Sequence, residues 1–584
     1  MTDSTEDPRE SVLKAEGHVL VVGGAGSGKT TIALRKGIKR IESGLLPGQS
    51  VLFLSFSRAA VARISEASKV EASFENRRRL HIQTFHSFCW SLVRSHGYLL
   101  GAPQKIKILP PQDEKVLSNG AKPRTPEWTE WDAERRRLFH DEGKLVFDLF
   151  APKAGDLLAR SSLIRNLVAR LYPLVIVDEA QDTGPDAWRC IELLAPLVQV
   201  VCLADLDQQI FDHLPGIGPE RISRIEEVLK PLRVDLGSDN NRSAGTEIAF
   251  FANDILADTV RGTPYKGVDF LKYNPKNLDW PALMHRALGM SGGAVEKSTG
   301  RASENCAILA PSGFSVAHIT AALSSGSNPI PHKVLFDEAE VLLASRLAAF
   351  LLEPKTAASF DSDVAVGLEL LASVRRAHGS RAAVQDAAKY LLWANQVRNG
   401  KQPRCKLVDD MQALMRSAGQ LKLCGDPAKD WLVIKQVLRN VNDSSIARIA
   451  ADLDLLVAFR RGKRIAANLS AMWSEFDSYA NARQALEAAL VEDQIFAGVD
   501  DLSGIHVMTI HKSKGKQFDG VIILREGRRT AEGLSSSFVW RNDQPPYLRS
   551  RKILRVAITR ARKHVLFLNP AYPPCPILSP QKLS

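Results

Sequence analysis

The chain has little of what would mark several protein classes. Its seven cysteines, Cys89, Cys190, Cys202, Cys306, Cys405, Cys424 and Cys575, are scattered, and no two form a Cys-x-x-Cys pair. Nothing there supports a disulfide framework, a zinc ribbon or an iron–sulfur cluster, and the expected setting is a reducing, cytoplasmic one. No apolar run approaches the ~20 residues that cross a bilayer, so no membrane partner is expected. The start, Met1-Thr2-Asp3-Ser4-Thr5-Glu6-Asp7, is acidic and polar and is not a secretory signal. There is no internal repeat and no nuclease-like tail. What remains is an ordinary globular composition, 45% apolar and 24% charged over 584 residues, long enough for about three or four domains. The formal charge of +12 suits a polyanionic partner.

The strongest positive signal lies near the start. Gly23-Gly24-Ala25-Gly26-Ser27-Gly28-Lys29-Thr30 follows the apolar run His18-Val19-Leu20-Val21-Val22 and opens onto Thr31-Ile32-Ala33-Leu34. That order predicts strand, glycine-rich loop and helix, the context a phosphate-binding loop requires. The glycines let successive amides turn toward phosphate oxygens, and the helix N-terminus adds partial positive charge. Lys29 can reach the β/γ-phosphates, and the Thr30 hydroxyl can face Mg²⁺. A nucleoside triphosphate, ATP, is the expected ligand.

A second signal supplies the metal ligand and the base. Leu174-Val175-Ile176-Val177 is an apolar run of the buried parallel-strand type, and it ends in Asp178-Glu179-Ala180-Gln181-Asp182. Adjacent carboxylates at the C-terminal end of such a strand stand where open α/β sheets place their crevice. Asp178 is the candidate Mg²⁺ ligand and Glu179 the candidate base that orients and deprotonates the attacking water. Alone, the pair reads equally as a solvated turn; the lysine loop tips the reading toward phosphoryl transfer.

From about Val19 to Leu568 the chain resembles the superfamily 1 DNA helicases of the UvrD/Rep type, motif by motif. Val51-Leu52-Phe53-Leu54-Ser55-Phe56-Ser57-Arg58-Ala59-Ala60 is similar to the family's motif Ia, which implies that Phe56 and Arg58 lie by single-stranded DNA. An aromatic offers a stacking face and a cation steadies phosphate; the bland alternative is a core Phe and a surface Arg. Ile82-Gln83-Thr84-Phe85-His86-Ser87-Phe88 is similar to motif Ib, a DNA-backbone contact through Thr84, Phe85 and His86, although His86 alone would read as structural. Val200 to Phe211 resembles motif III, which makes Gln208 the sensor of the γ-phosphate and puts Phe211 and His213 at the bases; a structural hydrogen-bond network is the alternative for Gln208. Asn240-Asn241-Arg242-Ser243 resembles motif IV, with Arg242 on the γ-phosphate.

Val507 to Phe518 resembles motif V. It implies that Thr509 and His511 touch DNA while Gly515 and Gln517 border the nucleotide. Val556-Ala557-Ile558-Thr559-Arg560-Ala561-Arg562 resembles motif VI, with Arg560 reaching the transferring phosphoryl. Several positions depart from the family. Asn241 stands for the tyrosine that sandwiches adenine, and no glutamine precedes Gln49. Both changes remove base contacts and no phosphate contact, so relaxed choice among triphosphates is expected. Arg555 stands for tyrosine, and no role is assigned to it.

The resemblance implies an α/β fold of two RecA-like P-loop motor domains with parallel sheets, each carrying a mainly helical insertion. The expected divisions are 1–90 and 166–235 for the first motor domain (1A), 91–165 for its insertion (1B), 236–354 and 501–570 for the second (2A), 355–500 for its insertion (2B), and 571–584 as a loose tail. Within these, Trp131–Phe139 and Gly155–Arg160 read as amphipathic helices, Ser291 to Ser303 as a loop, Cys306–Ala310 as a buried strand and Val341–Phe350 as a helix. Val364–Val374, Ala382–Ala394, Ala428–Leu438, Ile446–Arg460 and Ala480–Leu490 read as helices of a bundle. The implied activity is ATP-dependent 3′–5′ movement on single-stranded DNA with unwinding of tailed duplexes. Two alternatives stand beside it: a single-strand translocase or ATPase that unwinds little, and a motor gated by a protein partner, such as a separate nuclease or repair factor, in repair or antiphage defence. Lys29→Ala should abolish hydrolysis, whereas Glu179→Gln should keep nucleotide binding and stop turnover; an intact rate in Glu179→Gln would remove Glu179 from the role of base.

Overall fold

Short, wholly apolar segments set the architecture. The computed structural model describes residues 7–24, 26–119, 121, 123, 125–205, 220–237, 243–259, 261, 263–276, 278–325, 329–335, 339–377, 381–454, 463–487, 503–526, 528–530, 533–535, 538–540 and 543–578. Val19–Val22, Val51–Ser55 and Leu174–Val177 are buried along their whole length, as strands covered on both faces must be. They belong to a six-stranded parallel sheet in the order Leu80–Thr84, Val51–Ser55, Leu174–Val177, Gln199–Ala204, Val19–Val22, Leu232–Asp235. A second six-stranded parallel sheet runs His332–Leu335, Gly504–Thr509, Asn305–Ala310, Phe518–Leu524, Ala561–Pro570, Val268–Tyr273. The α/β class with two RecA-like sheets is therefore present. In the first sheet, the strand Gln199–Ala204 lies between the strand of the glycine loop and the strand of the acidic pair. Whatever ends that strand stands between the two motifs.

The chain forms two compact units. One holds both sheets and comprises 1–92, 151–336 and 498–584. Its helices cover the sheets with apolar faces: Ile32, Leu34 and Ile38 against the first, Phe251, Val556 and Ile558 against the second. The other unit comprises 93–150 and 337–497. It is helical apart from the two-residue parallel pair Lys107–Ile108 and Lys144–Leu145. Its core joins Leu347, Leu351, Leu368, Leu371, Met411, Trp431 and Ile434, and Arg346 pairs there with Asp113 and with Glu487.

The extents of these pieces differ from the sequence divisions. The helix Phe150–Arg160, expected within the first insertion, falls almost wholly in the sheet unit, where Arg189 pairs with Asp156 at 2.9 Å, and so does the start of Ser162–Leu171, whose residues from 166 onward were expected there. Ala339–Leu352, expected with the second sheet, falls in the helical unit because Leu347, Phe350 and Leu351 face its core. Helices occupy Pro126–Glu142, Phe360–Ala377, Arg381–Arg398, Pro427–Arg439 and Ser444–Asp454. Residues 455–460 and 488–490 of the expected helices lie outside the described residues.

Two expectations are corrected. The loop expected from Ser291 is the last part of a helix, Trp280–Thr299. Asp279 caps its start by accepting from the Ala282 amide at 3.0 Å, and Gly300, at φ +71°, closes its end. Those caps, with burial of Met284, Ala287, Ser291 and Val295, outweigh the ~1 kcal/mol that each of Gly292 and Gly293 costs a helix. The expected loose tail is docked as far as Leu578. Cys575, Ile577 and Leu578 are buried in the core of the second sheet, and the Arg525 guanidinium donates to the carbonyls of Pro570 and Pro573 at 3.0 and 2.8 Å. Proline marked that segment as irregular but did not keep its apolar side chains out of the core. Ile577→Ala should lower unfolding stability by about 2–4 kcal/mol in urea titration, while Leu163→Ala, at a side chain 79% exposed, should stay within about 0.5 kcal/mol; equal effects would refute the docking.

Candidate active site

The glycine loop begins where strand Val19–Val22 ends. The Gly23 amide donates to the Ala204 carbonyl at 3.3 Å and the Gly24 amide to the Gly237 carbonyl at 2.9 Å. Gly26 and Gly28 adopt φ of +89° and +92°, a region in which a Cβ is strained. Gly28 thus turns the chain into the helix Lys29–Glu42, whose first turn carries no acidic residue to offset its positive end. The Lys29 ammonium donates to the Gly23 and Gly24 carbonyls at 2.7 and 2.8 Å and lies 3.6 Å from Asp205. The Ser27 hydroxyl is buried with no hydrogen-bond partner among the described residues. An unpaired buried donor on a glycine loop at a helix N-terminus suits an oxygen-rich anion, so the residues present fit a triphosphate.

Two strands over, the Asp178 amide donates to the Leu54 carbonyl at 2.9 Å and the Ser55 hydroxyl to the Asp178 carboxylate at 3.4 Å. Burial, with the neighbouring Glu179 charge, pushes the Asp178 carboxyl up to about 6. Glu179 sits at φ +52°, a costly conformation for a residue with a Cβ and one that recurs at functional sites. Burial opposes its ionisation, but the cations of Lys514 and Lys29, the Gln181 side-chain amide at 2.6 Å and Arg560 together hold its carboxyl below the ordinary value. Neighbouring carboxylates are thereby pushed apart, one toward its acid form and one kept ionised, as different roles demand. Among the described residues no group of three or more His, Cys, Asp or Glu side chains gathers to hold a metal. Thr30 and Asp178 offer one hydroxyl and one carboxylate, which fits Mg²⁺, an ion that keeps several waters and shares substrate phosphates.

The second sheet reaches into this crevice. Lys514, on the turn after strand Gly504–Thr509, forms a buried ion pair with Asp182. Gly515 has φ +80°, and a Cβ there would stand 2.6 Å from the Ser57 hydroxyl. Arg560 is buried, its Nε donating to the Val556 carbonyl at 2.9 Å and its Nη2 to the Thr559 hydroxyl at 3.2 Å. Gln517 is half-buried just before strand Phe518–Leu524. Gly23, Gly24, Gly26, Ser27, Gly28, Lys29 and Thr30 follow one strand of the first sheet and Asp178 and Glu179 end another, while Gly515, Gln517 and Arg560 belong to the second.

The expected DNA contacts are spread along strand ends. Phe56 and Arg58 are exposed at the end of Val51–Ser55, beside Ser57, whose hydroxyl caps the following helix. Thr84 accepts from the Ser87 amide at 3.1 Å, Phe85 is buried and His86 is exposed. Thr509 ends its strand, and His511 meets Trp540 edge-on at 6.3 Å. Ala25, Gln208, Phe211, His213 and Arg242 lie outside the described residues. Two participants were not singled out from the sequence, Asp182 and Asp205, and Lys514 was read only as part of the Lys-Gly turn beside the nucleotide. The signal for Asp205 was available, since it ends the apolar run Val200–Ala204 as Asp178 ends its own.

Residues 4–141 and 112–216 match the model of the UvrD/REP helicase N-terminal domain. The N-terminal part of the chain, as far as residue 216, is thus similar to that family's N-terminal domain. The chain is 24% identical over 292 residues to "DNA helicase II" of Haemophilus influenzae, a stretch covering 43% of this chain and 40% of the relative. It is 24% identical over 315 residues to "ATP-dependent DNA helicase PcrA" of Staphylococcus aureus, covering 47% and 42%. It is 24% identical over 202 residues to an ATP-dependent helicase/nuclease subunit of Enterococcus faecalis, covering 32% and 15%. The chain thus spans less than half the length of each of these relatives.

Asp182 shows what the facing sheet contributes. Burial lifts its carboxyl to about 7 from an ordinary 3.8, Lys514 opposes that rise, and Glu179 and Asp205 add to it. The folded state therefore holds an extra proton between those values, and this group's contribution to stability declines as pH rises through that window, levelling off above about 7. Removing Lys514 lifts the folded value further and extends the decline. The melting-temperature deficit of Lys514→Ala should accordingly be larger at about pH 9 than at about pH 6; a deficit that is constant or shrinks would count against the pairing.

Proposed function

We propose that this chain is an ATP-dependent DNA helicase that couples hydrolysis to 3′–5′ movement along single-stranded DNA. The observation that carries the reading is the placement of Glu179, kept ionised beside the lysine loop by Lys514 and Arg560 of the facing sheet. A base whose charge state depends on both sheets links turnover to their approach.

Each residue has a task in this scheme. The loop amides and Lys29 hold the β/γ-phosphates, and the helix end behind them offsets negative charge. Thr30 and Asp178 would hold Mg²⁺, whose charge would offset that of the phosphates. Glu179 orients water in line with the γ-phosphate and accepts its proton. Arg560 and Arg242 stabilise the transferring phosphoryl, and Gln208 relays its presence. Phe56, Arg58, Thr84, Phe85, His86, Phe211, His213, Thr509 and His511 are assigned to the DNA track, where alternating grip moves the strand. The named helicase relatives support the substrate. The similarity to a relative named as one subunit of a helicase/nuclease supports a second reading, a motor that works with a protein partner. No helix among the described residues is long and apolar enough to cross a membrane, so DNA rather than lipid is the polyanion proposed for the basic chain.

Strand separation and ATP hydrolysis should be followed together on duplexes with a 3′ tail, a 5′ tail or blunt ends. Unwinding from the 3′ tail alone, with hydrolysis stimulated by DNA, is the expected result. Stimulated hydrolysis without released strand would favour the translocase or partner-gated motor, and hydrolysis indifferent to DNA would reject all three.

A further inference from the structure

Arg555 is one of the positions where the chain departs from the family it resembles, and the sequence assigned it no role. It lies on the helix Leu548–Ile558, its side chain 3% exposed. Its Nη1 stands 3.8 Å from Oδ1 of Asp205, and its Nε donates to Asn253 at 3.1 Å. The other oxygen of Asp205, Oδ2, faces the Lys29 ammonium at 3.6 Å. Asp205 is buried, and its amide donates to the Gln181 side chain at 3.2 Å. One carboxylate, fixed at the end of the strand between the two nucleotide motifs, thus bridges the loop lysine of the first sheet and an arginine of the second.

We propose that Arg555 is a positioning residue for the triphosphate site: by sharing the charge of Asp205 it leaves Lys29 available to phosphate. The inference rests on the nucleotide reading above. Phosphate oxygens and Asp205 compete for one ammonium, and in a buried site such competition is strong. A second cation on the far oxygen weakens the carboxylate's hold on Lys29. Because that cation comes from the facing sheet, approach of the sheets tunes the loop lysine. Removing Arg555 leaves a buried carboxylate drawn to Lys29, and a buried ion that loses one partner is costly. Removing the carboxylate as well removes the competition. The two changes should therefore not add in their effect on nucleotide binding.

The test is equilibrium binding of the fluorescent analogue mant-ATP with Mg²⁺, without DNA, on the full chain. Arg555→Gln should weaken binding on the order of tenfold, the effect of about 1.4 kcal/mol. The double variant Arg555→Gln/Asp205→Asn should bind like Asp205→Asn alone, and Asn253→Ala, which cuts only the other contact of Arg555, should bind like wild type. Unchanged binding in Arg555→Gln, an equal loss in the Asp205→Asn background, or a matching loss in Asn253→Ala would each overturn the proposal. Should Arg555→Gln fail to fold, Asp205→Asn carries the test: binding equal to or tighter than wild type is expected, and weaker binding overturns it. Wild type that binds no mant-ATP would overturn the nucleotide reading together with this one, whereas binding without strand separation would leave this one standing.

Discussion

Buried negative charge at one crevice is the constraint on which the arrangement depends. Asp178, Glu179, Asp182 and Asp205 gather at the ends of neighbouring strands of the first sheet, and apart from Glu179 all are buried to within a few per cent. Carboxylates so close cannot all ionise unaided, and moving even one into a dry site costs several kcal/mol. Relief comes from elsewhere in the chain. Lys29 arrives on the glycine loop, and Lys514, Arg555 and Arg560 arrive with the second sheet; Lys514 reaches Asp182 across 332 residues of sequence. The first sheet supplies a site that is electrically incomplete, and the second completes it.

That division of charge suits phosphoryl transfer, in which positioning and electrostatic stabilisation do most of the chemistry. A carboxylate sealed within one rigid domain would hold its protonation state regardless of domain arrangement. Glu179 instead owes its ionised form partly to cations on the facing sheet. Its left-handed backbone turns the side chain out of the line of strand Leu174–Val177 and starts the short helical turn Ala180–Asp182, so that consecutive acidic residues do not share one environment. The Gln181 amide touches Glu179 and Asp182 while its carbonyl receives the Asp205 amide, binding the carboxylates into a single network.

The glycine loop was legible in the sequence because its requirements are local: a buried strand before it, glycines where φ turns positive, a helix after it. The strand Leu174–Val177 and its carboxylates were legible for the same reason. The partnership of Asp182 with Lys514 was not, since no local pattern says which of many lysines folds onto a given aspartate. Arg555 could be seen as a departure but not as a partner of Asp205. The misread stretches share a cause. Gly292-Gly293 suggested a loop and the prolines near 573–576 suggested a loose end, yet in both places burial against the second sheet overrode the local preference.

Gly515 carries a consequence of another kind. Its backbone passes so near the hydroxyl of Ser57 that a methyl group would stand 2.6 Å away, and Ser57 is itself fixed by capping the helix Arg58–Glu71. A residue of one sheet therefore limits the size of a residue in the other. In an evolving lineage, bulk gained at 515 has to be answered at 57, and a larger residue at 57 has to be met at 515 by retreat of the turn. The parts of the chain that carry the two sheets are thus bound to a shared history at this point, and exchange of either for that of a distant relative would meet resistance there.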